Sequence, residues 1–96
     1  MPSLIWSPRA IDDLARLYNF LIAKDPEAAR RAVATIRQGV SILQRNPEIG
    51  RPIEDEPPEF REWPMRFGAA GYVARYRYEG QAVVILAVRH FREAGY

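Results

Sequence analysis

Chemistry in this chain has few places to reside. It holds one histidine, His90, and no cysteine. Around His90 in the last third of the sequence stand Arg66, Arg75, Arg77, Arg89 and Arg92, and Tyr96 is the final residue. Imidazole is the side-chain type that exchanges a proton near neutral pH. Guanidinium is a permanent planar cation that grips carboxylates and phosphates at two points. The combination suits an anionic or polar partner. Its placement is asymmetric: residues 61–96 carry six arginines against three glutamates, whereas residues 1–60 carry eight basic and nine acidic side chains. The cations therefore gather in one part of the fold.

Other chemistries find no residues. One histidine without cysteine gives no zinc spacing, so no metal is expected. No glycine-rich phosphate loop occurs and no serine, histidine and acid stand at a recognisable spacing, so no cofactor is expected either. The acidic run Glu54-Asp55-Glu56 lies in the proline-rich stretch "PEIGRPIEDEPPEF" and reads as a solvated loop. No apolar run approaches the roughly 20 residues of a membrane span. The opening "MPSLIWSPRA" lacks the pattern of a secretory signal. The expectation is a soluble cytoplasmic protein, residues 1–96 forming a single domain.

These cations need elements to position them. "SLIWS" is a short apolar run that predicts a first strand. Ser7-Pro8 then reads as a helix cap followed by proline at the first helical position. Asp12 and Asp13 fall early in that helix, where its dipole favours acids. Ile11, Leu14, Ala15, Tyr18, Leu21 and Ile22 supply its apolar stripe. Asp25-Pro26 caps a second helix with the stripe Ala29, Val33, Ile36, Val40 and Leu43, and Asn46-Pro47 ends it. A link this short predicts an antiparallel helical hairpin.

From Arg61 the period becomes two. "REWPMRFG" predicts a strand that Pro64 confines to an edge or a bulge. The glycines of "FGAAG" predict a turn. "GYVARYRYEG" alternates Tyr72, Ala74, Tyr76 and Tyr78 with Val73, Arg75 and Arg77, and Glu79-Gly80-Gln81 predicts a second tight turn. "AVVILAV" is apolar on both faces, the mark of a central strand. The order β-α-α-β-β-β predicts an α+β domain, a helical hairpin on one face of a small antiparallel sheet. If the aromatic residues face the helices, Arg66, Arg75 and Arg77 face outward. Either Arg89 or His90 joins them, because neighbours along a strand point to opposite faces.

The segments "WSPRAIDDLARLYNFLI", "DPEAARRAVATI", "NPEIGRP", "REWPMRFG", "GYVARYRYEG" and "VVILAVRHFREAGY", in that order, resemble the ParE/RelE superfamily of toxins from bacterial type II toxin–antitoxin systems. The resemblance implies the same helical hairpin on a small sheet. It also implies growth arrest, plasmid stabilisation, and neutralisation by a cognate ParD-like antitoxin through which alone operator DNA is met. RelE-like members are ribosome-dependent messenger-RNA nucleases, and for that branch the resemblance implies a set of Arg66, His90 or Arg92, and Tyr96. ParE-like members poison DNA gyrase by stabilising its cleaved-DNA complex and are not known as catalysts. The nucleases carry lysines before the second strand, where this chain has the acidic "EDEPPEFRE". An acidic segment repels a phosphate backbone. The ParE-like branch is therefore favoured, no residue is assigned to catalysis, and Arg66, Arg75, Arg77, Arg89, His90, Arg92 and Tyr96 are the candidate target-binding residues. An inactive binding module is the third reading.

Overall fold

The computed structural model describes residues 1–93. The order is β1 (Ser3–Trp6), α1 (Pro8–Ile22), α2 (Pro26–Arg45), β2 (Arg51–Pro52), β3 (Phe60–Phe67), β4 (Ala70–Glu79) and β5 (Ala82–His90). One five-stranded sheet runs β1-β5-β4-β3-β2, and both helices lie on one of its faces.

The sheet departs from the sequence expectation in two ways. It is mixed, because β1 pairs with β5 in parallel (Ser3 with Ala82 through Trp6 with Ile85). It also has an extra two-residue strand, β2, lifted from the predicted loop by antiparallel pairing of Arg51 with Glu62 and Pro52 with Arg61. Pro64 falls on the length of β3 beyond β2, where a missing N–H removes no ladder bond. β5 lies between β1 and β4, which accounts for its apolar residues on both faces.

Local signals set the elements. Ser7 accepts the Ala10 amide at 3.1 Å and donates to the Leu86 carbonyl at 3.1 Å, so one hydroxyl caps α1 and ties it to β5. Asp25 accepts the amides of Glu27 and Ala28 at the start of α2. The hairpins β3–β4 and β4–β5 each turn through a glycine at positive φ, Gly68 and Gly80. Gly71, expected in the first turn, lies within β4 opposite Arg66. Glycine is needed there because a Cβ would stand 2.3 Å from the Met65 carbonyl oxygen.

The core lies between the helices and the inner sheet face. Tyr72, Ala74 and Tyr76 of β4 meet Val83, Ile85 and Val88 of β5 under Ile36, Val40 and Leu43 of α2. A bulge between Arg75 and Tyr76 shifts the β4–β5 register, so that both Ile85 and Val88 reach this face. In α1 the buried contacts come from Ala10 and Leu17, flanked by Leu14 and Leu21. The stripe expected from sequence was rotated. Ile11 is 55% exposed and lies, with Ala15 and Tyr18, along the groove between the two helices. In α2 the small Ala32 is buried where Val33 was expected.

Candidate functional site

Strand register places the cations. Tyr72, Ala74 and Tyr76 face the helices, so Val73, Arg75 and Arg77 face away from them. Their neighbours on β3 are Pro64 beside Val73, Glu62 beside Arg75 and Phe60 beside Arg77, with Arg66 beside Gly71. On β5, Arg89 pairs with Val73 and shares its face. Arg66, Arg75, Arg77 and Arg89 thus occupy the helix-free face together.

They are not equivalent. Arg66 and Arg77 are exposed, and among the described residues neither has an ion-pair partner. Arg75 is half-buried, forms an ion pair with Glu56, and has the Phe60 ring 5.8 Å from its guanidinium carbon. The acidic run is therefore not simply solvated; its third member reaches back to the sheet. Arg89 folds onto the end of the chain, its Nη1 donating to the carbonyls of His90 (3.3 Å), Phe91 (3.4 Å) and Glu93 (3.1 Å). Its role in the fold is to hold the turn after β5.

His90 goes to the other side. It pairs with Tyr72 across the ladder, and the two rings meet edge to face at 5.3 Å. Its Nδ1 accepts the Arg92 amide at 3.1 Å. His90 and Arg92 line a cleft of about 680 Å³ between the end of α1 and the sheet, with Phe20, Lys24, Phe67 and Tyr72 on its walls. The residues expected to form one surface are thus divided between two, and Arg66 and His90 lie on opposite faces. Tyr96 lies outside the described residues.

A third group is barely signalled in the sequence. Beyond Trp6, β1 leaves the sheet and the β5 edge is uncovered. Asp13 accepts the Val88 amide at 2.9 Å, and Arg16, one turn later, lies 3.4 Å from the Val88 carbonyl. Arg16 also forms an ion pair with Glu93, whose other carboxylate oxygen accepts the His90 amide at 2.8 Å. Asp13, Arg16 and Glu93 so close the edge with side chains in place of a strand. Burial pushes the Glu93 carboxyl up, but the His90 amide, Arg16 and the His90 ring together outweigh it and hold it below the usual carboxylate range. Asp13, read from sequence as a helix-dipole acid, owes its place to this tertiary bond. Only its spacing of three from Arg16 hinted at a pair. Among the described residues no three His, Asp or Glu side chains converge as a metal site would require.

The arrangement combines a helical hairpin on a mixed sheet, a cationic open face and a terminal cleft. The family model of the ParE toxin of the type II toxin-antitoxin system, parDE, matches residues 4–95. The chain belongs to the ParE toxin family. Among curated relatives of this ParE-family chain is Toxin RelE3 of Caulobacter vibrioides, 38% identical over 93 residues, covering 97% of this chain and 98% of the relative. Toxin RelE1 of the same organism is 33% identical over 88 residues, covering 92% and 91%. The solved chromosomal ParDE TA system from P. aeruginosa contains a chain that superposes with a TM-score of 0.75 at 28% identity, covering 94% of this chain and 96% of that one. The ParE-family fold inferred from the six sequence segments is thus the fold observed, with β1 parallel and β2 added. Within the described residues of this family member, no helix is long and apolar enough to cross a membrane.

Proposed function

We propose that this chain is the toxin of a type II toxin–antitoxin pair, and that it arrests growth by binding DNA gyrase and stabilising its cleaved-DNA complex. The observation that carries the choice of target is the separation of Arg66 from His90. A ribonuclease of this fold needs a proton-transfer group and cations gathered around one ribose 2′-hydroxyl. Here Arg66 stands on the open face of the sheet and His90 on the helix side, with Nδ1 already engaged by Arg92. The open face also carries carboxylates, Glu62 in the ladder and Glu56 against Arg75. An RNA backbone is poorly served by such a surface; a protein target tolerates it.

Neutralisation falls to a cognate antitoxin. The groove between α1 and α2, about 610 Å³, is lined by Ile11, Leu14, Tyr18 and Val33 with Arg30 and Arg37 at its margin. That combination suits an amphipathic helix bearing acids beside its apolar stripe. Operator DNA is reached through the antitoxin alone in this reading.

A second reading, a ribosome-dependent messenger-RNA endonuclease, is favoured by the RelE names of the two Caulobacter relatives and by the meeting of His90, Tyr72, Lys24 and Arg92 at one cleft. Purified toxin added to gyrase and relaxed plasmid should block supercoiling and trap cleaved DNA. Cut messages on translating ribosomes, with supercoiling untouched, would replace the gyrase reading by the nuclease one. Neither effect, with harmless expression in the absence of antitoxin, would leave a binding module.

A further inference from the structure

Arg75, a cation of the open face, is paired with an acid from outside the sheet, Glu56. The acid comes from a built loop. Glu56 donates its amide to the Ile53 carbonyl at 3.2 Å, closing a turn in which Asp55 takes a left-handed φ of 65°. A type II turn demands that conformation at its third position, and aspartate is among the few residues besides glycine that tolerate it. A second turn follows at once, the Phe60 amide donating to the Pro57 carbonyl at 3.1 Å. Pro57 and Pro58 stiffen the link between the two, and the Tyr78 amide fixes the Glu59 carbonyl at 2.8 Å. Two turns, two prolines and one strained aspartate thus hold the Glu56 carboxylate over Arg75.

We propose that the loop from Ile53 to Glu59 is an internal ligand of the open sheet face. Glu56 occupies Arg75 in the free chain, and an acidic segment of a partner protein binds that face by taking the place of Glu56. The inference rests on reading the open face as a partner surface. Exchanging one carboxylate for another keeps the ion pair on Arg75 and so opposes the incoming segment less than a simple loss of Glu56 would. Arg77 is the next residue of β4 on the same face and Arg66 lies further along it opposite Gly71; both are exposed, so an incoming acidic segment meets them before the exchange takes place. Val73 and Ala87 lie on the same face and are already covered. The exposed part of the face is cationic, so an acidic segment is what fits it.

The test is a fluorescence-anisotropy titration of the purified chain with labelled hexaglutamate at low ionic strength. Glu56→Gln should tighten binding by about two- to fivefold, the range in which exposed ion pairs act. In an Arg75→Gln background that gain should vanish. Arg75→Lys, which keeps the charge and loses the fork, serves where Arg75→Gln unfolds, and there the gain should shrink. The proposal is overturned if Glu56→Gln binds no tighter than the wild type, if the gain survives loss of Arg75, or if no variant binds the peptide. A gain seen with hexauridylate RNA and not with hexaglutamate would overturn the acidic-peptide partner as well. The titration contains neither gyrase nor ribosomes, so a failed supercoiling assay removes the proposed target and leaves this result standing.

Discussion

The Tyr76 phenol oxygen accepts the Gly50 amide at 2.9 Å and donates to the Pro47 carbonyl at 2.8 Å. One fully buried ring from β4 thereby holds the "NPEIGRP" segment, and Arg61 helps by donating to the carbonyls of Glu48 (3.0 Å) and Gly50 (2.8 Å). The segment that follows α2 is thus fixed by its hydrogen bonds to the sheet. Tyr76→Phe keeps the ring in the core but leaves a buried N–H unsatisfied, at a cost of about 1–3 kcal/mol. Urea denaturation should show a lower midpoint with an unchanged slope; an unchanged midpoint would mean that water replaces the phenol.

Gly50 and Gly39 differ in what a side chain would meet. A Cβ on Gly39 stands 2.6 Å from Met65 Sδ, the movable end of a flexible side chain. A Cβ on Gly50 stands 2.5 Å from the Tyr76 oxygen and 2.7 Å from the Glu62 backbone oxygen, neither of which can move without breaking the ties just described. Gly50→Ala should therefore cost about 2–3 kcal/mol and Gly39→Ala about 1 kcal/mol or less, within the range for overpacking. Equal costs in thermal or urea melts would contradict the distinction.

Much of this fold was legible because its punctuation is strong. Ser7-Pro8, Asp25-Pro26, Gly68 and Gly80 each mark a boundary that the structure keeps. Alternation correctly put the tyrosines of β4 inside and its arginines outside. What escaped depends on contacts distant in sequence. Periodicity points the large Ile11 at the core, whereas the structure buries the small Ala10 and leaves Ile11 55% exposed. In fact α1 approaches the sheet closely through the small one. The bulge after Arg75 could not be read, since both registers of β5 present apolar residues. The end of β1 at Trp6 leaves the β5 edge open beyond Ile85, and so gives Asp13, Arg16 and Glu93 a purpose that spacing along the chain does not reveal. Glu56 was read as solvated for the same reason: its partner is 19 residues away.

Asp13 tests the edge closure. Asp13→Ala removes the acceptor of the Val88 amide and the pairing with Arg16, and should destabilise by about 1–3 kcal/mol. Asp13→Asn keeps an acceptor oxygen and should lose less. Hydrogen exchange should locate the effect, with faster exchange at Val88 in the alanine variant and little change in β3. Uniform loss of protection would show that Asp13 acts on the whole fold.

Glu93 adds an acid sensitivity to that edge. Its carboxyl lies below the ordinary range in the folded chain, so its contribution to stability is present above the unfolded-state value. That contribution is lost as pH falls through the lowered folded value. Glu93→Gln should remove this part of the acid dependence, leaving a flatter stability curve on the acid side and little difference between variant and wild type at low pH. Curves that stay parallel down to acid would show that Glu93 is not the titrating group.

Arg66 and Arg77 test the open face without disturbing the fold. Both are exposed. Replacing either by alanine should change stability by no more than about 0.5 kcal/mol. If the open face receives the partner, each replacement weakens the complex, and the double variant weakens it further. The salt dependence of binding falls with each cation removed, because fewer screened pairs remain. Arg30→Ala, at the margin of the groove between the helices, is the control: it should alter antitoxin affinity and leave hexaglutamate binding unchanged. Equal sensitivity of hexaglutamate to Arg30→Ala and Arg77→Ala would mean that the peptide reads overall charge, and the open face would lose its standing as a separate surface.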